Sequence, residues 1–463
     1  MSAQNALSLE DQRSIRPSCE THFGRKMKQN PYDAVKNPTG VIDMGSAVNE
    51  LMLDDLSGWM KKNVKESRLR DALGYGNKQG SASLPMAAAR FINEHFRVRL
   101  PLTSDNVLAG NDTEALLDTL MHSIAEEGDA ILIPTPSCGI SAGGIWAKSG
   151  IHVVEVPCDD IAEERFWGPP PQEDALIQTP ELVKRLEAAI DVELSQQRKV
   201  GAIFLANPDN PLGRCYAAHM LLQVSQLCAK HEIHLIVDET HAMSSGDRFS
   251  SILSLGLGMN DTRVHVLWGM SKDFGLGRLG AAFLATYNKQ IYDTMTSLGT
   301  PEWMSSFSAK VLEKLLSDAK YLRNHYLPLF RRRLNKRRNL VEEVLEDHGI
   351  PYGKAEAGFF IFVDLSSWAD LSNRKHGGEG CSALLEHMMT QRVFLEPGET
   401  FCAKRPGLFR LSFGGEKEPS KLGLRRLLYC LRKIDGKEYT DPFALAKGLY
   451  FSMPKGAAHI SMP

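Results

Sequence analysis

No stretch of the chain reaches the roughly 18 consecutive apolar residues that a membrane-spanning helix requires. The opening residues, MSAQNALSLEDQRSIRP, contain no apolar signal region. Net charge is also lacking, because 54 Lys and Arg stand against 56 Asp and Glu, a balance of −2. That near-neutrality gives no support to a nucleic-acid or anionic-membrane partner. Of the eight cysteines none forms a C-x-x-C pair or falls at a Cys/His ligand spacing. A zinc centre and a disulfide framework are thereby excluded, and reduced thiols remain. Internal repeats are missing too. These absences point to a soluble, cytoplasmic protein with no metal site. Its 463 residues are too many for one small core, so two domains are expected.

One basic run exists, RRRLNKRR at 331–338, and the apolar residues around it recur at helical spacing. It reads as the solvated face of a long helix. From about residue 106, short β-branched runs alternate with helical segments. The expected strands are 106–110, 130–136, 151–157, 201–208, 233–239, 264–270 and 278–285. Several are apolar throughout, which suits strands buried on both faces of a mostly parallel sheet. The fold class is therefore α/β, with a large doubly wound, mostly parallel sheet domain. After a helical stretch from about 305 to 345, further strands at 358–365, 392–398 and 408–414 suggest a smaller α+β terminal domain. The expected division is an arm with part of the small domain (1–70), a large domain (71–305), an interdomain helix (306–345), a small domain (346–437) and a tail (438–463). Segments 159–180 and 371–380 interrupt the pattern and read as loops.

Four features fall near predicted strand ends, where such a sheet collects its ligands. AGNDTEA (109–115) follows a strand and opens a helix, so it is either an N-cap (Asn111 with Glu114 three residues on) or a phosphate site. NPDNPLGR (207–214) ends a strand with turn-forming residues. IVDETH (236–241) sets Asp238 at the end of an apolar strand, where a carboxylate must be paired, exposed or functional. WGMSKDFGLGRLG (268–280) places Lys272 between a hydrophobic run and closely spaced glycines, with Arg278 beyond.

In that order these features resemble the fold-type-I pyridoxal-phosphate enzymes of the class I/II aminotransferase family. VIDMGSAVNELMLDDLSGWM, SKDFGLGRLG, GFFIFVDL and FRLSFG are similar to its 1-aminocyclopropane-1-carboxylate synthase-like branch, of the type found in fungal specialised metabolism. The similarity runs from about residue 40 to about 435. It implies the aminotransferase fold, pyridoxal 5′-phosphate as cofactor, and Lys272 as the lysine that carries it. Asp238 would partner the pyridine nitrogen and Asn210 the ring O3′. Arg278 and the amides around Asp112 and Thr113 would hold the phosphate. Arg410 would take the substrate α-carboxylate, where a planar bidentate fork is preferred. The family also implies a homodimer in which Tyr75, or second Lys78, reaches the partner's site.

The chain departs from this pattern at informative places. Cys138, in PTPSCGI, stands where an aromatic ring stacks on the cofactor. His241 replaces a tyrosine three residues after Asp238, Gly269 replaces a serine three before Lys272, and the turn before Arg278 is two residues shorter. A small side chain above the cofactor opens room for a bulky substrate. The expectation is an enzyme acting on an amino-acid-like substrate, an aminotransferase of specialised metabolism. The alternatives are a carbon–sulfur (β/γ) lyase or cyclopropane-forming synthase, and a catalytically silent cofactor-binding homologue.

Overall fold

The computed structural model describes residues 22–64, 83–138, 149–158, 160, 180–298, 304–376 and 380–437. Its centre is a seven-stranded sheet in the order β2-β8-β7-β6-β5-β3-β4. These strands are β2 (Val107–Gly110), β3 (Ala130–Thr135), β4 (His152–Pro157), β5 (Val200–Ala206), β6 (His234–Asp238), β7 (Val264–Gly269) and β8 (Ala282–Thr286). β8 runs antiparallel to both of its neighbours, and all other pairs are parallel.

The unbroken apolar runs have a simple cause. Along β3, Ile131 and Ile133 enter one core while Ala130 and Leu132 enter the other; along β5, Ala202 and Phe204 separate in the same way from Ile203 and Leu205. Successive side chains point to opposite faces, so a strand covered on both sides is buried along its length and mostly apolar. One face is covered by α4 (Thr113–Ile124) through Leu116, Leu117, Leu120 and Met121. The other carries α3 (Ser83–His95), α5 (Pro180–Ser195) and α6 (Ala218–Lys230).

A smaller group of strands lies nearer the chain's end. β11 (Glu396–Pro397), β12 (Leu408–Ser412) and β9 (Phe360–Asp364) form an antiparallel sheet, and β1 (Ile42–Asp43) pairs in parallel with β10 (Val393–Phe394). The N-terminal helices α1 (His22–Gln29) and α2 (Leu53–Asn63) flank β1 in sequence. The expected strands occupy their expected places, except that the run 392–398 divides into β10 and β11, which belong to different sheets, and one strand is shortened. The run from Arg278 becomes strand only at Ala282, because Gly277–Leu279 is a 3₁₀ turn and Gly280 takes φ +55°.

Two expectations are corrected. Segment 371–380 is helical as far as His376, within Ser366–His376, because Ala369 and Ser372 are buried and Trp368 and Leu371 pack on the core. The basic run is more than a solvated face. It lies on helix Leu327–Asp347, where Arg331 donates to the Met243 carbonyl and Arg333 to the Leu51 carbonyl, at 3.3 and 2.7 Å. Apart from Asp160 and Pro180, loop 159–180 lies outside the described residues.

Candidate active site

Four strands of the large sheet deliver the predicted residues to one end of it. Asp238 closes β6. Lys272 lies on a one-turn helix, Met270–Asp273, that begins as β7 ends. The turn after β5 carries Asn210, and the turn after β3 carries Cys138, whose backbone N–H donates to the Asn210 carbonyl at 2.8 Å. Arg410 comes from the small sheet, on β12. Lys272, Asp238, Asn210, Cys138, His241, Thr113 and Arg410 together line one cavity of about 600 Å³. Parallel strands whose carboxyl ends face the same way make this convergence a consequence of topology.

Each charged group is fixed by a definite partner. Lys272 Nζ donates to the Ala47 carbonyl at 3.2 Å. Arg410 donates from Nε and Nη2 to the Gly45 carbonyl at 3.0 and 2.9 Å, and from Nη1 to Asn210 Oδ1 at 2.9 Å. Its guanidinium also lies over the Phe401 ring, 4.7 Å from the centroid, a favourable cation–π arrangement. Asp238 Oδ1 accepts from the Thr240 amide at 3.0 Å. His241 is buried, its ring edge-on to Phe359 and Phe360, and its Nδ1 has no partner among the described residues.

Burial decides the protonation tendencies. The Lys272 ammonium is pushed below the usual lysine range by burial and then by the Arg410 charge, while Cys138, Asp238 and Glu114 act against that shift. Burial raises the Asp238 carboxyl, with the Thr240 hydrogen bonds and Lys272 opposing. His241 falls well below the normal imidazole value through burial, then Lys272 and Arg410, so its ring is neutral at physiological pH. Burial, with the nearby Asp238 and Asp209, raises the Cys138 thiol and keeps it protonated. The cavity thus holds a poised amine, a buried carboxyl and a fixed guanidinium.

Not every predicted residue arrives. Arg278 is exposed on its 3₁₀ turn and is not among the residues that line the cavity. The Asp112 carboxylate is spent as the N-cap of α4, accepting from the Ala115 amide at 2.7 Å, and only Thr113 and Glu114 of that first turn line the cavity. Tyr75 and Lys78 lie outside the described residues. Glu114, which the sequence offered only as part of an N-cap, faces the cavity with its carboxyl raised by burial and by Asp112. The structure also adds groups that sequence patterns did not single out. Met27 and Lys28 of α1, and Thr400 and Phe401, close the side away from the large sheet.

The sequence and the fold resemble known proteins. The family model for aminotransferase class I and II matches residues 39–427. A relative named 1-aminocyclopropane-1-carboxylate synthase-like protein 1, from Mus musculus, is 30% identical over 410 residues, covering 88% of this chain and 79% of its own. 1-Aminocyclopropane-1-carboxylate synthase 1 of Prunus mume is 26% identical, over 90% of this chain and 84% of its own. Among solved structures, a single mutant of Thermus thermophilus aspartate aminotransferase superposes with a TM-score of 0.72 at 18% identity, covering 92% of this chain and 99% of that one. At that identity the last likeness speaks for the fold.

Proposed function

The chain belongs to the aminotransferase class I and II family, and on that premise we propose that it transfers the amino group of an amino-acid-like substrate to a keto acid, in the synthesis of a specialised metabolite. Its cofactor is pyridoxal 5′-phosphate, on which the family depends. The donor set of the cavity fits that group. Asp238 offers a buried carboxyl for a protonated ring nitrogen, Lys272 an amine for a carbonyl carbon, and the first turn of α4 free amides for a phosphate.

When bound, pyridoxal phosphate supplies an electron sink for the pair left on the substrate's α-carbon. Lys272 is the group that holds the cofactor and moves the α-proton, since burial favours its neutral, basic form. Asp238 keeps a proton at the ring nitrogen. Arg410, already oriented by Gly45 and Asn210, binds the α-carboxylate. His241 offers a neutral imidazole towards the ring O3′. The observation that carries the reading is that Lys272, Asp238 and Arg410 face one cavity.

A carbon–sulfur lyase is the second reading, favoured by Cys138, whose small side chain lines the cavity at the position where the family resemblance would put an aromatic ring. The active form is a cytoplasmic homodimer, in keeping with the common two-fold arrangement. The test is a spectral screen of amino acids against the purified protein. The Lys272→Ala variant should keep its fold and lose both the visible cofactor band and turnover. Return of the starting spectrum on adding a keto acid identifies aminotransfer, whereas keto-acid release without it identifies elimination. A parent protein with no visible band would favour a silent homologue.

A further inference from the structure

At the α4 end of the main cavity the charge runs against what an anion needs. Thr113 and Glu114, from the first turn of that helix, form the wall there. The opening amides of a helix have no intrahelical partner and suit a phosphate. Beside them stand two carboxyl groups. The Asp112 side chain is engaged by the Ala115 amide at 2.7 Å. Glu114 makes neither a hydrogen bond nor an ion pair among the described residues, and its side chain lines the cavity. The cations that line the same cavity serve other places. Arg410 is bound to Gly45 and Asn210, Lys272 donates to the Ala47 carbonyl, and Lys28 belongs to α1, which packs on β10. Arg278 does not line it. Burial first and Asp112 second hold the proton on Glu114, and Lys272 draws it off. A phosphate seated at these amides adds charge of the same sign as a carboxylate, and a like charge favours the neutral acid.

We propose that Glu114 is a cofactor-binding residue that works as an acid: as the neutral carboxyl it donates its O–H to an oxygen of the cofactor's phosphate, and as a carboxylate it repels that group. The inference rests on reading this cavity as a pyridoxal-phosphate site. Uptake of the phosphate then fixes one proton on Glu114, taken from solvent, so affinity for the phosphate falls as pH rises. The other end of the cofactor is recognised by Asp238 and Lys272, through groups that unphosphorylated pyridoxal also carries.

Titration of the full-length, cofactor-free protein with pyridoxal phosphate and with pyridoxal, read at the visible cofactor band, tests the proposal. Both ligands meet Lys272 and Asp238 through the same atoms, so the ratio of their dissociation constants isolates the phosphate end. In the parent, the preference for the phosphorylated form should fall roughly tenfold between about pH 5.5 and about pH 8.5. Glu114→Gln keeps a donor and cannot ionise. Its preference should match the parent's at the lower pH and exceed it roughly tenfold at the higher. Glu114→Ala loses both the donor and the charge, so it should bind the phosphorylated form more weakly than the parent at the lower pH and more tightly at the higher. Circular dichroism checks that both variants fold. The same ratio in parent and variants at both pH values, or a change shared equally by the two ligands, overturns the proposal and leaves the cofactor reading standing. No band with either ligand in any of the three proteins overturns both.

Discussion

Asp273 is fully buried one residue beyond Lys272, and the environment of its carboxyl explains why it sits there. Oδ2 accepts from the Met243 amide at 2.9 Å and from Trp268 Nε1 at 3.5 Å, while Oδ1 has no partner among the described residues. Burial raises its pKa from 3.8 to about 8. A carboxyl raised on folding contributes stability fully below its unfolded value, and that contribution is lost as pH climbs towards the folded one. Between roughly pH 4 and pH 8 the parent should therefore lose stability. Asp273→Asn keeps an acceptor for Met243 and cannot ionise, so its stability should fall less over the same window, by on the order of a few kcal/mol. Glu239, raised to about 8, and Asp209, to about 7, add to the same slope in both proteins. Denaturant unfolding of parent and variant at several pH values reads the difference, and parallel slopes would remove Asp273 from the account. Cys138 poses the complementary question of size. Its thiol lines the cavity at the place where the family resemblance would put a ring, so Cys138→Tyr should restrict the substrate range to small amino acids while the cofactor stays bound. A panel of spectral titrations checks this, and an unchanged profile would place the substrate elsewhere.

The one-turn helix Met270–Asp273 is the element on which the chemistry depends, and four residues cannot hold their own shape. It is stapled from outside. Asn49 Nδ2 donates to the carbonyls of Lys272 and Asp273 at 2.8 and 3.1 Å, and the Tyr326 hydroxyl donates to the second at 3.0 Å. Gly275, at φ +67°, lets the following turn approach closely, since a Cβ there would sit 2.1 Å from the Asn49 carbonyl oxygen. Asn49→Ala removes one donor from each of two carbonyls, which keep the Gly275 amide and the Tyr326 hydroxyl as partners, at a cost of about 1 kcal/mol. We expect a lower unfolding midpoint and roughly a tenfold drop in kcat, measured beside retained cofactor absorbance. Unaltered kcat would show that the turn holds without its staple. The same element marks how far sequence reasoning reaches. Lys272 was legible only in company, through the order of strand-end features that it shares with the family, and the strands were legible because burial on both faces leaves no exposed position and few polar ones in β3, β5 or β7. Asn49 left no such trace, because its partner is 223 residues away and nothing in its neighbourhood announces the contact. Ser366–His376 was only partly legible, since Asn, Arg and Lys on its outer side and the glycines that follow mask an inward face made by Trp368, Leu371 and Ser372.

At the scale of the whole molecule, the main cavity is assembled from three parts of the chain far apart in sequence. The large sheet supplies Lys272 and Asp238, the small sheet supplies Arg410, and the segment 45–51 runs between them. Gly45 fixes Arg410 and Ala47 fixes Lys272 through their carbonyls, so the position of this segment sets the distance between the proposed carboxylate site and the proposed reacting amine. That position is itself braced from helix Leu327–Asp347. Arg333 Nη1 donates to the Leu51 carbonyl at 2.7 Å and meets Asp55 Oδ2 at 2.5 Å, although it touches neither the cavity nor any residue proposed to react. Arg333→Met preserves the length of the side chain and removes the brace. The loss of stability should be modest, about 1 kcal/mol, because the ion pair is partly solvated. The effect on function should be larger and of a particular kind. Displacing the segment loosens Arg410 first, so KM for the amino-acid substrate should rise several-fold while kcat falls less. Steady-state kinetics with thermal unfolding of the same variant separates the two effects. Equal KM in parent and variant would show that segment 45–51 holds its place without the brace, and that the sheets alone determine the geometry of the site.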